Sequence, residues 1–122
     1  MKTLTLGLVM SLAMLGASGL AAQQLTITGE VTDSSCARMG SHEAMEKQHN
    51  MPANTAIDKT CTLACVKAGA KLVLYDSSTK TAYELDDQKK AGQFAGEKVT
   101  VTGTVDKANN TIHVAKIAKA AE

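Results

Sequence analysis

Residues 99–105 read VTVTGTV and nearly repeat an earlier segment, residues 25–31, which reads LTITGEV. Both alternate aliphatic residues with threonine and place a glycine before the closing valine. This period of two, with β-branched side chains, is typical of a β-strand that buries one face. Gly29 and Gly103 lie inside these strands, where a glycine indicates a bulge or a sharp bend. Such bends are needed in strongly coiled barrel strands.

Three further segments have strand character, namely 70–76 (AKLVLYD), 80–85 (KTAYEL) and 111–117 (TIHVAKI). Each follows or precedes a short polar turn, as expected for neighbouring strands. The sequence therefore predicts five strands, with a long insert between the first and the second.

A short helix is predicted between the third and fourth strands. Asp86 is a plausible N-cap, Ala91, Phe94 and Ala95 form an apolar face, and Gly96 is a natural end. Five strands with a helix in this position follow the order of the OB-fold. We expect an all-β chain with short helices, built as a five-stranded OB-like barrel. A five-strand sandwich is the alternative, although the helix position and the glycine-containing strands favour the barrel.

The first 22 residues have the layout of a secretory signal peptide. Lys2 is followed by an apolar stretch over residues 4–15, and Ala21 and Ala22 supply small residues for cleavage. The apolar stretch is too short to span a bilayer comfortably. We expect residues 23–122 to form one exported domain, periplasmic or secreted, without a membrane anchor.

Charge and aromatic content exclude some classes of partner. Lys2 is the one basic residue of the predicted signal peptide, so twelve basic and twelve acidic residues remain. A net charge near zero argues against binding to nucleic acid or to anionic lipid. Only two tyrosines and one phenylalanine are present, which disfavours stacking on bases or sugars. We expect a monomer whose partner is an unknown protein or small ligand.

The insert, residues 33–69, concentrates the reactive side chains. Long irregular segments in compact domains are usually functional or disordered. This one holds every cysteine of the chain and every methionine outside the predicted signal peptide. It also holds two of the three histidines. The residues concerned are Cys36, Cys61, Cys65, Met39, Met45, Met51, His42 and His49.

Two of the cysteines are predicted to lie on one helix. Asp58 can cap a helix that runs to Ala68 and ends at Gly69. Cys61, Ala64, Cys65 and Ala68 would then share a small apolar face that packs on the barrel. Plain burial of the thiols is the simplest interpretation of this pattern.

A disulfide is the first alternative, because free thiols of an exported protein meet an oxidising compartment. Cys61 and Cys65 are four residues apart, which in a helix places their Cβ atoms about 5–6 Å from each other. A disulfide needs about 3.8 Å. A bond from Cys36 to Cys61 or to Cys65 is therefore easier, and it leaves one thiol unpaired.

A metal site is the second alternative. Two ligands at positions i and i+4 of one helix can share an ion. Cys36, Cys61 and Cys65 with His42 complete a Cys₃His set, which is a recognised tetrahedral zinc site, and His49 is the reserve ligand. A site rich in thiolates with methionines nearby also suits Cu(I). The spacing is not that of a zinc finger or ribbon.

No enzymatic motif stands out. The segment CTLAC is not a CxxC pair, so a thioredoxin-type redox site is disfavoured. Cys36 and His42 could form a nucleophilic pair, but no oxyanion-hole motif accompanies them. His113 alternates with two aliphatic neighbours in the last strand, which predicts an exposed side chain. We expect a protein that is not an enzyme.

The segments GEVTDSSC, CTLACVKAGAKLVLYD, FAGEKVTVTGTVD and TIHVAKI together resemble a group of small exported bacterial domains of unknown function. The pattern of that group is G-x-V-x-D-x-x-C, then a histidine, then C-x-x-x-C-V-x-x-G. The resemblance covers nearly the whole chain after the predicted signal peptide. It implies an OB-like β-barrel and no established activity. Its histidine follows the first cysteine more closely than His42 follows Cys36, which leaves His42 and His49 both open.

The sequence thus predicts an exported binding module of unknown ligand whose Cys/His-rich loop binds a metal, with zinc favoured over copper. The alternative is a structural or protein-interaction domain without metal, held by a disulfide of Cys36 with Cys61 or Cys65.

Overall fold

The structure is a computed structural model that describes residues 24–48, 50–52 and 54–121. The predicted signal peptide, residues 1–22, and the reserve ligand His49 lie outside the described residues. Nine elements follow one another: β1 (Gln24–Asp33), a 3₁₀ turn (Cys36–Arg38), α1 (His42–Gln48), α2 (Thr55–Lys67), β2 (Leu72–Asp76), β3 (Thr81–Leu85), α3 (Gln88–Gly92), β4 (Lys98–Asp106) and β5 (Thr111–Lys119).

The five strands form one sheet that closes on itself in the order β1-β2-β3-β5-β4. β1 pairs antiparallel with both β2 and β4, and Glu30 lies where it passes from one partner to the other. A short parallel pairing of β3 with β5 completes the ring. The predicted set of five strands with few short helices is confirmed, and the closed ring is not the two-layered sandwich weighed as the alternative.

The two strand glycines have different roles. The ladder between β4 and β5 shifts register between Thr102 and Gly103, so the predicted irregularity is a bulge at this position. A β-carbon on Gly103 would overlap the carbonyl oxygen of His113. At Gly29 the ladder with β4 continues without a shift. There the glycine permits close approach instead, since a β-carbon would overlap the carbonyl oxygen of Tyr75.

The core fills the interior of the ring and is built from aliphatic side chains of all five strands and of the α3 segment. Phe94, from the turn that follows α3, packs against this core while remaining half-buried. The buried residues of the core are Val31, Leu72, Leu74, Leu85, Ala91, Ala95, Val99, Val101, Ile112 and Ile117.

The N-cap of α3 is Asp87 and not the predicted Asp86. The side chain of Asp87, not that of Asp86, accepts a hydrogen bond from the backbone N–H of Lys90 at 2.9 Å. Asp86 instead accepts from the backbone N–H of Val114 on β5 at 2.8 Å. The carboxylate of Asp86 is thus hydrogen-bonded to β5, and the side chain of Asp87 caps the helix instead.

The N-terminus of α2 was also predicted wrongly. Its cap is Asn54, whose Oδ1 accepts from the N–H of Ile57 at 3.3 Å, rather than Asp58. The predicted end of the helix is confirmed. Gly69 directly follows the C-cap and has a φ of +111°. The N–H of Ala70 then bonds the carbonyl of Cys65 at 3.0 Å, which closes the helix in a Schellman motif.

The face of α2 that packs on the barrel differs from the predicted one. Thr62 is fully buried, and Leu63 and Val66 contact the core, whereas Cys61 and Ala64 are exposed. The larger aliphatic side chains bury more apolar area than alanine and cysteine do, so they take the inner position. Over the described residues, no helix has the length and apolar character needed to cross a membrane.

Candidate metal centre

The candidate site forms where three segments of the insert meet the end of β1. Asp33 is the last residue of β1, and its Oδ1 accepts hydrogen bonds from the backbone N–H groups of Ser35 and Cys36, both at 2.9 Å. Such a turn, closed by an aspartate side chain, fixes the following backbone. It therefore holds Cys36, which begins the 3₁₀ turn and is 6 % exposed, next to the barrel wall.

His42 is the first residue of α1 and is held by Glu30 of β1. Its ring Nδ1 and its backbone N–H both contact the carboxylate oxygen Oε1 of Glu30. The helix starts here because the hydroxyl of Ser41 accepts from the N–H of Ala44 at 3.1 Å, as an N-cap does. The ring of His42 is thus fixed in position and in orientation.

The second ring nitrogen of His42 has no hydrogen bond of ordinary geometry with the described part of the chain. His42 is 5 % exposed, and its Nε2 is buried with no hydrogen-bond partner among the described residues. A buried polar atom without a partner costs free energy, so a ligand bound to Nε2 would remove that cost. The hydrogen bond to Glu30 raises the pKa of His42 to about 9, although burial acts in the opposite direction, and the nearby side chain of Cys61 raises it further.

Cys61 joins Cys36 and His42 in a compact group. A ring nitrogen of His42 and the two sulfurs lie within 4.8 Å of one another. Zinc binds sulfur at about 2.3 Å and imidazole nitrogen at about 2.0–2.1 Å, so donors around one ion are separated by up to about twice these lengths. Because Nδ1 is occupied by Glu30, Nε2 is the nitrogen that could bind a metal, which must displace the proton that the raised pKa keeps on the ring. The three side chains could hold one ion.

Cys65 belongs to a second group, in which its sulfur, that of Cys36 and a carboxylate oxygen of Asp33 lie within 4.8 Å of one another. The Oδ2 atom of Asp33 is buried and has no hydrogen-bond partner in the described part of the chain. Cys36 is common to both groups, whereas His42 and Cys65 do not share one. The four predicted ligands are therefore gathered around Cys36 but do not form a single set of four.

Asp33 is the member of this cluster that the sequence analysis did not single out as a ligand. A signal for it was present, because it stands three residues before Cys36 at the end of a strand, and the D-x-x-C spacing occurs in the pattern that the chain resembles. The carboxylate of Asp33 also changes the pKa of the Cys36 thiol. Burial, together with the hydrogen bond and the negative charge of Asp33, strongly raises the pKa of Cys36. A metal that binds there must displace the thiol proton.

All three cysteines, each within the described residues, are free thiols. They differ in exposure, since Cys36 is buried, Cys65 is half-buried and Cys61 is exposed. The interpretation of all three as plain buried hydrophobic residues therefore fails for Cys61. Cys36 is the shared neighbour of the other two, which is the position that either a disulfide with one of them or a metal would require.

The methionines of the insert are not equivalent. Met45 and Met51 line a cavity that His42 and Cys61 also line. Met39 does not line it and is 69 % exposed.

His113 is exposed, as predicted, and its Nδ1 contacts the carboxylate of Asp86 at 3.1 Å on the surface of the barrel.

The comparison with protein families gives a match over the second half of the chain. Residues 66–120 match a family described as a protein of unknown function (DUF5818). This segment covers the end of α2 and the strands β2 to β5. It starts immediately after Cys65, so it contains none of the candidate ligands. No curated protein and no solved structure matches the chain at a significant level.

Proposed function

We propose that this chain is an exported, non-enzymatic binding module that holds a zinc ion in the insert of an OB-like barrel. The OB-like assignment is supported by the closed strand order β1-β2-β3-β5-β4 and by α3 between the third and fourth strands. Export is supported by the layout of residues 1–22. The ligand or partner protein that the module serves is a separate question from the metal.

The observation that carries the proposal is the environment of His42. Its Nδ1 bonds to a carboxylate, and its buried Nε2 has no partner among the described residues. In metal sites a ligating histidine usually donates its second N–H to a carboxylate or carbonyl, which fixes the tautomer and the ring orientation. Glu30 is placed for this role. Cys36 and Cys61 then supply thiolates beside Nε2.

The donor set favours zinc. Two thiolates and an imidazole are among the commonest zinc ligands in proteins. Cu(I) is the second metal to consider, because the thioethers of Met45 and Met51 line the cavity next to His42 and Cys61 and soft sulfur ligands select Cu(I). If copper is the metal, changing both methionines to leucine weakens Cu(I) binding, while zinc binding stays unchanged.

The test is metal content in single variants purified from an exported preparation. Cys36→Ser, Cys61→Ser and His42→Gln are expected to lose stoichiometric zinc. Cys65→Ser is the matched control on the same helix, and it is expected to retain zinc because Cys65 does not share a donor group with His42. Full zinc in the Cys36 and Cys61 variants would contradict the proposal.

A disulfide-linked module without metal is the alternative. It is supported by the short separation of the Cys36 sulfur from those of Cys61 and Cys65 and by the expected export to an oxidising compartment. Under this alternative, Cys36→Ser and one of the other two variants lose the same disulfide, and the remaining variant is silent. No variant then changes metal content. The two functions are therefore distinguished by the same set of proteins.

A further inference from the structure

The cavity next to Cys61 and His42 is lined mainly by apolar side chains. It has a volume of about 260 Å³, and its apolar lining includes Met45, Met51 and Ile57. Ile57 and Met51 are 63 % and 53 % exposed, although isoleucine and methionine side chains are usually buried. The volume lies below the usual range of about 300–1,000 Å³ for ligand pockets, so the cavity suits a small molecule.

The proposed metal site beside this cavity has three protein donors, from Cys36, His42 and Cys61. Tetrahedral zinc has four ligands, and sites with three protein ligands keep the fourth position for water or an incoming molecule. Cys65 does not share a donor group with His42. His42 and Cys61 both line the cavity. A molecule in the cavity would therefore lie beside two of the three ligands.

The charge around the cavity determines which donor atom fits. Glu46 and Asp58 line it as well, and the two thiolates of Cys36 and Cys61 already neutralise a divalent ion. An anionic donor is repelled by the additional carboxylates. An uncharged imidazole-type nitrogen avoids this repulsion, and it is a good ligand for zinc and for copper.

We propose that this cavity binds a small uncharged nitrogen heterocycle with an apolar substituent, whose nitrogen takes the fourth coordination position of the metal. The inference rests on the proposed function, because it requires a metal held by Cys36, His42 and Cys61. It goes further in assigning the cavity and the chemical class of its ligand. Glu46 and Asp58 exclude anions, and Met45, Met51 and Ile57 select an apolar body.

The test uses the full exported chain loaded with cobalt(II), whose visible absorption reports on coordination. The protein is titrated with 1-methyl-, 1-ethyl- and 1-butylimidazole. Each is expected to shift the absorption bands in a saturable way without release of cobalt. Affinity is expected to rise by up to about fourfold for each added methylene, because the alkyl group is buried against the apolar lining.

Two variants separate the cavity from the metal. Ile57→Ser removes part of the apolar lining and should reduce the gain per methylene to below about twofold. Met39→Ser is the matched control, since Met39 is equally accessible but does not line the cavity, and it should keep the full gain. The inference is overturned by an unchanged spectrum, by cobalt release, or by an equal gain in wild type and Ile57→Ser. Failure to bind cobalt at all would overturn the proposed function as well.

Discussion

Replacement of Glu30 by glutamine removes the charge that orients His42 while keeping the shape of the side chain. The Glu30 carboxylate receives the Nδ1 hydrogen bond of His42, and the two side chains are only 14 % and 6 % exposed. A hydrogen bond to a charged group contributes about 1.5–3 kcal/mol. Loss of a residue that orients a metal-ligating histidine lowers metal affinity by about 10–100-fold. That loss corresponds to about 1.4–2.8 kcal/mol, because about 1.4 kcal/mol is a factor of ten.

We therefore expect Glu30→Gln to weaken zinc binding by about 10–100-fold, measured by competition with a chromophoric chelator. Glu46→Gln is the matched control. Glu46 lines the cavity that contains His42 and Cys61, but its Oε1 accepts from the backbone N–H of Asn54 at 3.0 Å. If both variants lose affinity equally, the effect is one of overall charge. An affinity of Glu30→Gln within about threefold of wild type, well short of that range, would refute the role of the hydrogen bond.

Three further predictions concern the fold. The hydroxyl of Thr62 is buried with no partner among the described residues, so Thr62→Val should raise the free energy of unfolding by about 1 kcal/mol; a loss of stability in urea denaturation would contradict this. Gly103→Ala should lower the free energy of unfolding by about 3 kcal/mol, because the added carbon overlaps the carbonyl of His113. An unchanged urea midpoint would show that the bulge relaxes freely. The hydrogen bond from the N–H of Val114 lowers the pKa of Asp86, assisted by His113. Its stabilising effect is therefore present above the ordinary aspartate pKa and is lost as the pH falls through the lowered value. Asp86→Asn should destabilise the protein at neutral pH and have little effect at the acid end of the titration, whereas an equal effect at both ends would exclude this linkage.

The strands could be predicted from the sequence because each carries its own local signal. The alternation in residues 25–31 and 99–105 sets which face is buried, and polar turns separate β2 from β3 and β4 from β5. The bulge at Gly103 could be anticipated because glycine in a strand interior often marks one. The closure of the ring followed from the strand order and from the position of α3.

Helix starts were less predictable, because several residues near one another can serve as caps. Asp86 and Asp87 are adjacent, and the choice between them depends on a contact between Asp86 and Val114 that no local pattern encodes. The packing face of α2 depends in the same way on its contact with the barrel. A period of 3.6 residues marks possible faces, and the larger side chains of Leu63 and Val66 determine which one is buried.

The concentration of Cys36, His42, Cys61 and Cys65 in one insert was visible in the sequence, but their division into two groups was not. That division depends on how the turn after β1 places Cys36 between α1 and α2. Two further residues, Glu30 and Asp33, complete the surroundings, and both lie on β1 rather than in the helices of the insert. Their roles arise from tertiary contacts, which sequence spacing alone does not specify.

The central claim is that Cys36, His42 and Cys61 hold a metal ion, and intact-mass spectrometry of the purified protein tests it most directly. The measurement is made under native conditions and repeated after denaturation. A native mass that carries one zinc ion, with three free thiols after denaturation, is the result that this account predicts. A metal-free mass that is lighter by two hydrogen atoms, with one thiol remaining, would contradict it and establish a disulfide between two of the three cysteines.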